Sequence, residues 1–176
     1  MCDIADDPKA FLYARSAGDN AEVVSEFVHA VVTASRQQGL GCVLKHFPGY
    51  GNNADTHVGE AVDRRPLEAF ESRDFLPFEA GIEAGAGAVM VSHNTMCCVD
   101  ETLPASLSPA VHALLRGELG FDGVVVSDDL DMAAVAQGAD QGELAVAALL
   151  AGNDLLCTGS PLEASQALLR ALDEGR

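Results

Sequence analysis

Gly123-Val124-Val125-Val126-Ser127-Asp128-Asp129 is a short apolar run that ends abruptly in two carboxylates. Three valines in succession read as a strand buried on both faces, because a half-exposed strand would alternate apolar with polar. Three further runs have the same form: Gly41 to Phe47, Ala88-Val89-Met90-Val91-Ser92 and Asp154-Leu155-Leu156-Cys157. Helical spacing fills the stretches around them. Val24, Phe27, Val28, Val31 and Val32 recur on one face between Asn20 and Gln38, with Asp19 or Asn20 as cap and Gly39 as stop. Further helices are expected from Pro66 through Glu83, from Ser108-Pro109 to Glu118, over 131 to 151, and after Ser160-Pro161.

Strands that are apolar throughout and separated by helices describe a parallel sheet, so the chain reads as an α/β protein. Polar residues gather where the strands end: Lys45 and His46, His93, Asp128 and Asp129. Both (β/α)8 barrels and doubly wound sheets build their sites at that end, and periodicity leaves the two folds open. No Walker-type loop and no GxGxxG follows a strand, so the nucleotide-binding form of a doubly wound sheet lacks its main support.

The densest chemistry lies in Leu44-Lys45-His46-Phe47-Pro48-Gly49-Tyr50-Gly51-Asn52-Asn53-Ala54-Asp55-Thr56-His57. A strand turns basic at its end, and Pro48, Gly49 and Gly51 then force an irregular loop that carries an acid and an imidazole two residues apart. Lys45 is one of only two lysines, the other being Lys9.

The chain's 176 residues are one domain's worth of polypeptide. With 27 acidic against 10 basic residues, a formal charge of −17 repels phosphate backbones and anionic membrane surfaces, which argues against a nucleic-acid or membrane partner. No apolar run approaches the ~18 residues of a membrane span. Cys2, Cys42, Cys97, Cys98 and Cys157 form no paired framework and no CxxC, so free thiols in a reducing, cytoplasmic setting are expected, with Cys42 and Cys157 behaving as small hydrophobes. His46, Asp55, His57, His93 and Asp128 have no spacing typical of a zinc motif, and no metal or other cofactor is expected.

Together these segments resemble glycoside hydrolase family 3, in its β-N-acetylhexosaminidase branch. The resemblance rests on Lys45 to Gly51 with Asp55-Thr56-His57, on Val89-Met90-Val91-Ser92-His93, on Pro104-Ala105-Ser106-Leu107-Ser108, on Gly120 to Met132, and on Tyr13-Ala14-Arg15-Ser16. It covers essentially residues 1–176, read as one partial catalytic-barrel domain. It implies a (β/α)8 scaffold, present as about its last four to five βα units, and a retaining glycosidase acting on terminal β-linked N-acetylglucosamine. By position, Asp128 falls on the nucleophile, His57 on a histidine acid/base and Asp55 on the acid paired with it. Arg15, Lys45 and His46 fall on residues that hold sugar hydroxyls, and His93 on a histidine near the site. Two departures stand out: Tyr50 where many members carry His, and a spacer of three residues, Asn52-Asn53-Ala54, where four are usual.

These assignments make chemical sense. Retaining hydrolysis needs a carboxylate on one face of the sugar and a proton donor on the other. An imidazole with pKa near ~6.5 can give a proton and later remove one from water, and a nearby aspartate fixes its tautomer. Asp128 must stay ionised, which a hydrogen bond from Lys45 would favour. Asp129 and Asp131 are expected to bond backbone amides, and the His57 loop is expected to swing in when sugar binds. Phosphorolysis of the same glycosides is an alternative, because an imidazole does not repel phosphate as a carboxylate would. A barrel remnant without activity is another: a full barrel needs about 250 residues, and weak or no activity is expected from this chain alone.

Overall fold

The computed structural model describes residues 1–176. In chain order the strands are β1 (Val43–Phe47), β2 (Ala61–Asp63), β3 (Ala88–Val91), β4 (Asn94–Met96), β5 (Val124–Asp129) and β6 (Leu155–Cys157). The helices are α1 (Ala21–Gln37), α2 (Leu67–Ala69), α3 (Leu76–Glu83), α4 (Pro109–Gly117), α5 (Ala133–Ala136), α6 (Gln141–Ala151) and α7 (Pro161–Asp173). The main sheet is entirely parallel, with order β1-β3-β5-β6. Within this sheet each strand thus lies beside the next of its members along the chain, β2 and β4 forming a separate pair. A doubly wound sheet reverses direction at a switch point, and the unbroken order is instead that of an arc of a (β/α)8 barrel.

Register shows which residues each face receives. Leu44, Val89 and Val125 lie side by side and are buried in the main core, together with Val24, Val28 and Val32 of α1 and Val111 and Leu115 of α4. One residue back, Val43, Ala88 and Val124 form a row on the opposite face. Here Val43 and Val124 are 47% and 44% exposed. The expectation of strands covered on both faces therefore holds in full on the helix side, whereas on the other face Val43 and Val124 are open although Val126 is buried. In a barrel the inner face is filled by side chains from strands across the lumen, and an arc of four strands supplies too few of them.

Helix α1 starts where expected, with the Asn20 side chain accepting the Val23 N–H at 3.1 Å. Its apolar face is wider than the core it meets: Phe27 and Val31 remain exposed and line, with Met1, Cys42 and Val43, an apolar recess of about 110 Å³ at the β1 flank. The stretch 131 to 151 divides into α5 and α6, because Gly138 takes φ +79° and the Asp140 side chain caps a new start on the Glu143 N–H. The segment after His93 contains β4, which pairs with β2 and so ties the loop after β1 to the loop after β3. Cys157 is exposed, contrary to its reading as a buried hydrophobe, because β6 is an edge strand.

Four aromatic rings fix the end of β1. Phe47 stacks on Phe75 at 5.6 Å between centroids and meets Phe78 edge-on at 5.3 Å, and Phe70 closes on Phe75 at 6.0 Å. Beside them Arg65 lies over the Phe70 ring and bridges Asp63 and Asp74, each at 2.8 Å. A Cβ on Gly49 would fall 2.7 Å from that of Asp74, so the loop leaving β1 can pass only as glycine, which also suits its φ of +114°.

Candidate active site

The first group of side chains forms where β1 ends. Asp3, fully buried, accepts the His46 backbone N–H at 3.0 Å and its Nδ1–H at 2.8 Å on one oxygen, and the Tyr50 N–H at 2.8 Å on the other. The Cys2 N–H bonds the Lys45 carbonyl at 2.7 Å, which lays the N-terminal stretch along β1. The Lys45–His46 and Phe47–Pro48 bonds are cis. His46, itself buried, has its tautomer set by Asp3, and Nε2 has no partner within the protein. Lys45 makes no ion pair and no side-chain hydrogen bond within the chain, and it does not reach Asp128 as the sequence suggested.

The second group sits on the loop that follows. His57 Nδ1 lies 2.6 Å from Asp55 Oδ1, and the same oxygen accepts the His57 N–H at 3.0 Å. Since a carboxylate only accepts, Nδ1 carries the proton and Nε2 is left to exchange protons with a ligand. Phe11 meets the His57 ring at 5.6 Å and Tyr50 at 6.0 Å, and the Arg15 guanidinium lies 5.6 Å from the other contact of that ring, the Phe11 centroid. Arg15, on a short turn far back in the chain, thus shares Phe11 as a neighbour with His57.

The third group stands at the end of β5. Asp128 is half-buried, and its carboxylate accepts the Asp129 N–H at 3.0 Å. Asp129 accepts the Asp131 N–H at 3.1 Å, and the Asp131 carboxylate accepts the Gly159 N–H; both hold backbone amides. His93 is buried, with Nε2–H donating to the Asp129 carbonyl at 2.9 Å and Nδ1 facing the Ser106 hydroxyl at 2.7 Å. With both ring nitrogens engaged by the protein, His93 braces the backbone next to Asp128 and has no nitrogen left for a sugar.

The three groups share one electrostatic field. Burial raises the Tyr50 phenol pKa, hydrogen bonds to Thr56 oppose this, and the charges of Asp55 and Asp128 raise it further. His93 is pushed down by burial and by His57, against its bond to Asp129 and the charges of Asp128 and Asp129, and so stays neutral at pH 7. Burial and the carboxylates of Asp129, Asp128 and Asp131 push the Cys157 thiol up, with Lys45 acting the other way. Asp55, His57, Lys45 and Asp128 thus act on shared neighbours. A direct link exists as well: the Thr56 carbonyl, between Asp55 and His57, accepts the Ala134 N–H at 3.2 Å from the segment leaving β5.

Sequence reasoning missed Asp3, Phe11 and the role of Tyr50. Asp3 left a faint signal, an acid inside the apolar stretch Cys2 to Ala5. Phe11 left none, because the rings it meets, Tyr50 and His57, lie far along the chain.

Residues 1–176 match the family described as glycosyl hydrolase family 3 N terminal domain. A beta-hexosaminidase of Xanthomonas campestris pv. campestris (strain B100) is 46% identical over 121 residues, covering 68% of this chain and 37% of that protein. The chain therefore spans little more than a third of the length of the curated relatives it matches. A glycoside hydrolase family 3 beta-N-acetylglucosaminidase from Paenibacillus sp. str. FPU-7 superposes with a TM-score of 0.94 at 37% identity, covering 99% of this chain and 35% of the other. A beta-glucoside phosphorylase, BglX bound to 2FGlc, superposes with a TM-score of 0.90 at 26% identity, covering 99% and 34%. No helix is long and apolar enough to cross a membrane. On its sequence match over every residue and on the arc of strands it shares with these structures, the chain belongs to glycosyl hydrolase family 3, within the family's N-terminal domain.

Proposed function

We propose that this chain carries the nucleophile and the acid/base of a retaining β-N-acetylhexosaminidase acting on terminal β-linked N-acetylglucosamine. Asp128 attacks the anomeric carbon while His57 Nε2–H protonates the departing oxygen, leaving a glycosyl ester on Asp128 and a neutral imidazole. Water then enters; His57 takes its proton, and the hydroxide oxygen displaces Asp128 to regenerate both groups. Asp55 stabilises the imidazolium whenever His57 holds the extra proton. Arg15, Lys45 and His46 bind sugar hydroxyls. His93 positions the Asp128–Asp129 backbone through its bond to the Asp129 carbonyl.

The observation that carries this reading is the 2.6 Å Asp55–His57 contact on a loop bonded to the exit of β5. The activities named for the Xanthomonas and Paenibacillus relatives support it. His57→Ala tests it: hydrolysis of glycosides with poor leaving groups should fall by about 10²–10⁴, while activated aryl glycosides lose far less. Equal losses on both would reject His57 as the acid.

A second reading, phosphorolysis, is favoured by an acid/base that is an imidazole, by the exposed Arg15 packed on the Phe11 ring that also meets His57, and by the likeness to a phosphorylase. Initial rates with and without inorganic phosphate decide between the two. A third, a catalytically silent arc, is favoured by the open row at Val43 and Val124. Robust turnover of an aryl N-acetylglucosaminide by these 176 residues would exclude it.

A further inference from the structure

We propose that Tyr50 is the positioning residue for the Asp55–His57 pair: its hydroxyl clasps Thr56 and holds the imidazole in place before any sugar arrives. The catalytic meaning of that placement rests on the function proposed for His57; the clasp itself does not.

The pair cannot hold itself. The side chains of His57 and Asp55 are 57% and 27% exposed, and an exposed ion pair contributes only about 0–1 kcal/mol. The flanking loop contains Gly51 and Gly59, which favour disorder through backbone entropy. Thr56, between the two, is by contrast fully buried and uses every polar group it has. Its N–H donates to the Tyr50 hydroxyl oxygen at 2.7 Å, its own hydroxyl shares a proton with that oxygen at 2.8 Å, and its carbonyl accepts the Ala134 N–H at 3.2 Å. A residue fixed at its amide, side chain and carbonyl leaves its two neighbours little freedom to turn.

Tyr50 is itself held at several points. Its N–H is bonded to Asp3, its ring meets His46 at 5.7 Å and Phe11 at 6.0 Å, and it is almost wholly buried. The chain of support therefore runs from Asp3 through Tyr50 and Thr56 to His57, with Phe11 packed on both the Tyr50 and His57 rings. The loop expected to swing in when sugar binds is, in this structure, docked against the β5 exit through the Thr56 carbonyl.

The test uses the 176-residue chain and requires no turnover. Tyr50→Phe keeps the ring and deletes the hydroxyl. Amide exchange at Thr56 should then quicken by about tenfold, as for the loss of one buried hydrogen bond, with exchange at Leu44 and Val125 unchanged. Long-range ¹H–¹⁵N spectra of His57 should pass from a single Nδ1–H tautomer to a mixture. Thr56→Val, which retains the amide bond to Tyr50, should give the same changes at smaller amplitude and serves if Tyr50→Phe does not fold. Variants with wild-type Thr56 exchange and an unchanged His57 tautomer would overturn the proposal. Failure of the glycosidase reading would leave these spectra as predicted, so the two outcomes are separable.

Discussion

The carbonyl of Thr56 accepts the backbone N–H of Ala134, and this bond joins the loop bearing His57 to the segment that continues from Asp128. Two groups distant in sequence are thereby set relative to each other through the backbone, on a loop and a strand end that otherwise belong to different βα units. The chemistry proposed for them depends on that fixed relation.

Asp55 sets the tautomer of His57, so Asp55→Asn should weaken catalysis without changing substrate binding. An amide at that position can donate as well as accept, and the imidazole loses its preference for Nδ1–H. A fall in kcat of about 10²-fold or more with KM nearly constant is expected in steady-state assays. A pure KM effect would assign Asp55 to sugar binding instead.

The His93 pKa is depressed by burial, and this has a consequence for stability. Below the unfolded-state pKa of ~6.5, the unfolded chain takes up a proton that folded His93 refuses, so the stabilisation is fully present above that pH and erodes as pH falls below it. Urea midpoints measured at pH 7.5 and 5.5 should differ less in His93→Gln than in the parent chain. Equal pH slopes would show that His93 does not titrate in this way.

Arg65 bridges two buried carboxylates, Asp63 and Asp74. Arg65→Met removes the cation and leaves both acids in a poorly hydrated site beside Phe70, which should cost about 3–5 kcal/mol. Chemical denaturation is the measurement, and a loss below 1 kcal/mol would mean that water reaches these carboxylates freely.

Asp100 accepts the Thr102 and Leu103 N–H groups and the hydroxyls of Thr102 and Ser108. Burial works to raise its pKa, yet these bonds prevail and lower it to about 2. Its contribution to stability is therefore present above the ordinary carboxylate range and disappears as pH falls through about 2. Asp100→Asn should lower the thermal midpoint at pH 7 and have little effect at pH 2.

Much of this architecture was legible in the sequence. The valine run of β5 marked a buried strand because a parallel strand is continuously apolar, and its terminal acids marked a candidate site because such strands carry chemistry where they end. The Asp55–His57 contact followed from a two-residue spacing in a loop. The barrel arc was not decided by periodicity, since strand order is a long-range property; the resemblance pointed to it and the sequential order established it. Tyr50 drew notice only as a departure from a usual histidine, because a phenol's partner cannot be inferred from spacing. Asp3 was overlooked for a similar reason: its partners at His46 and Tyr50 lie more than forty residues away. The exposure of Phe27, Val31 and Val43 shows the converse limit, since an apolar pattern marks a surface suited to burial without naming what covers it.

The most direct test is a crystal structure of this chain, or of a longer protein that contains it, with N-acetylglucosamine bound. The account predicts one pyranose ring between Asp128 and His57, with a carboxylate oxygen facing the anomeric carbon and Nε2 on the leaving-group side. A sugar that touches only one of them, or side chains of Asp128 and His57 opening into separate pockets, would contradict it.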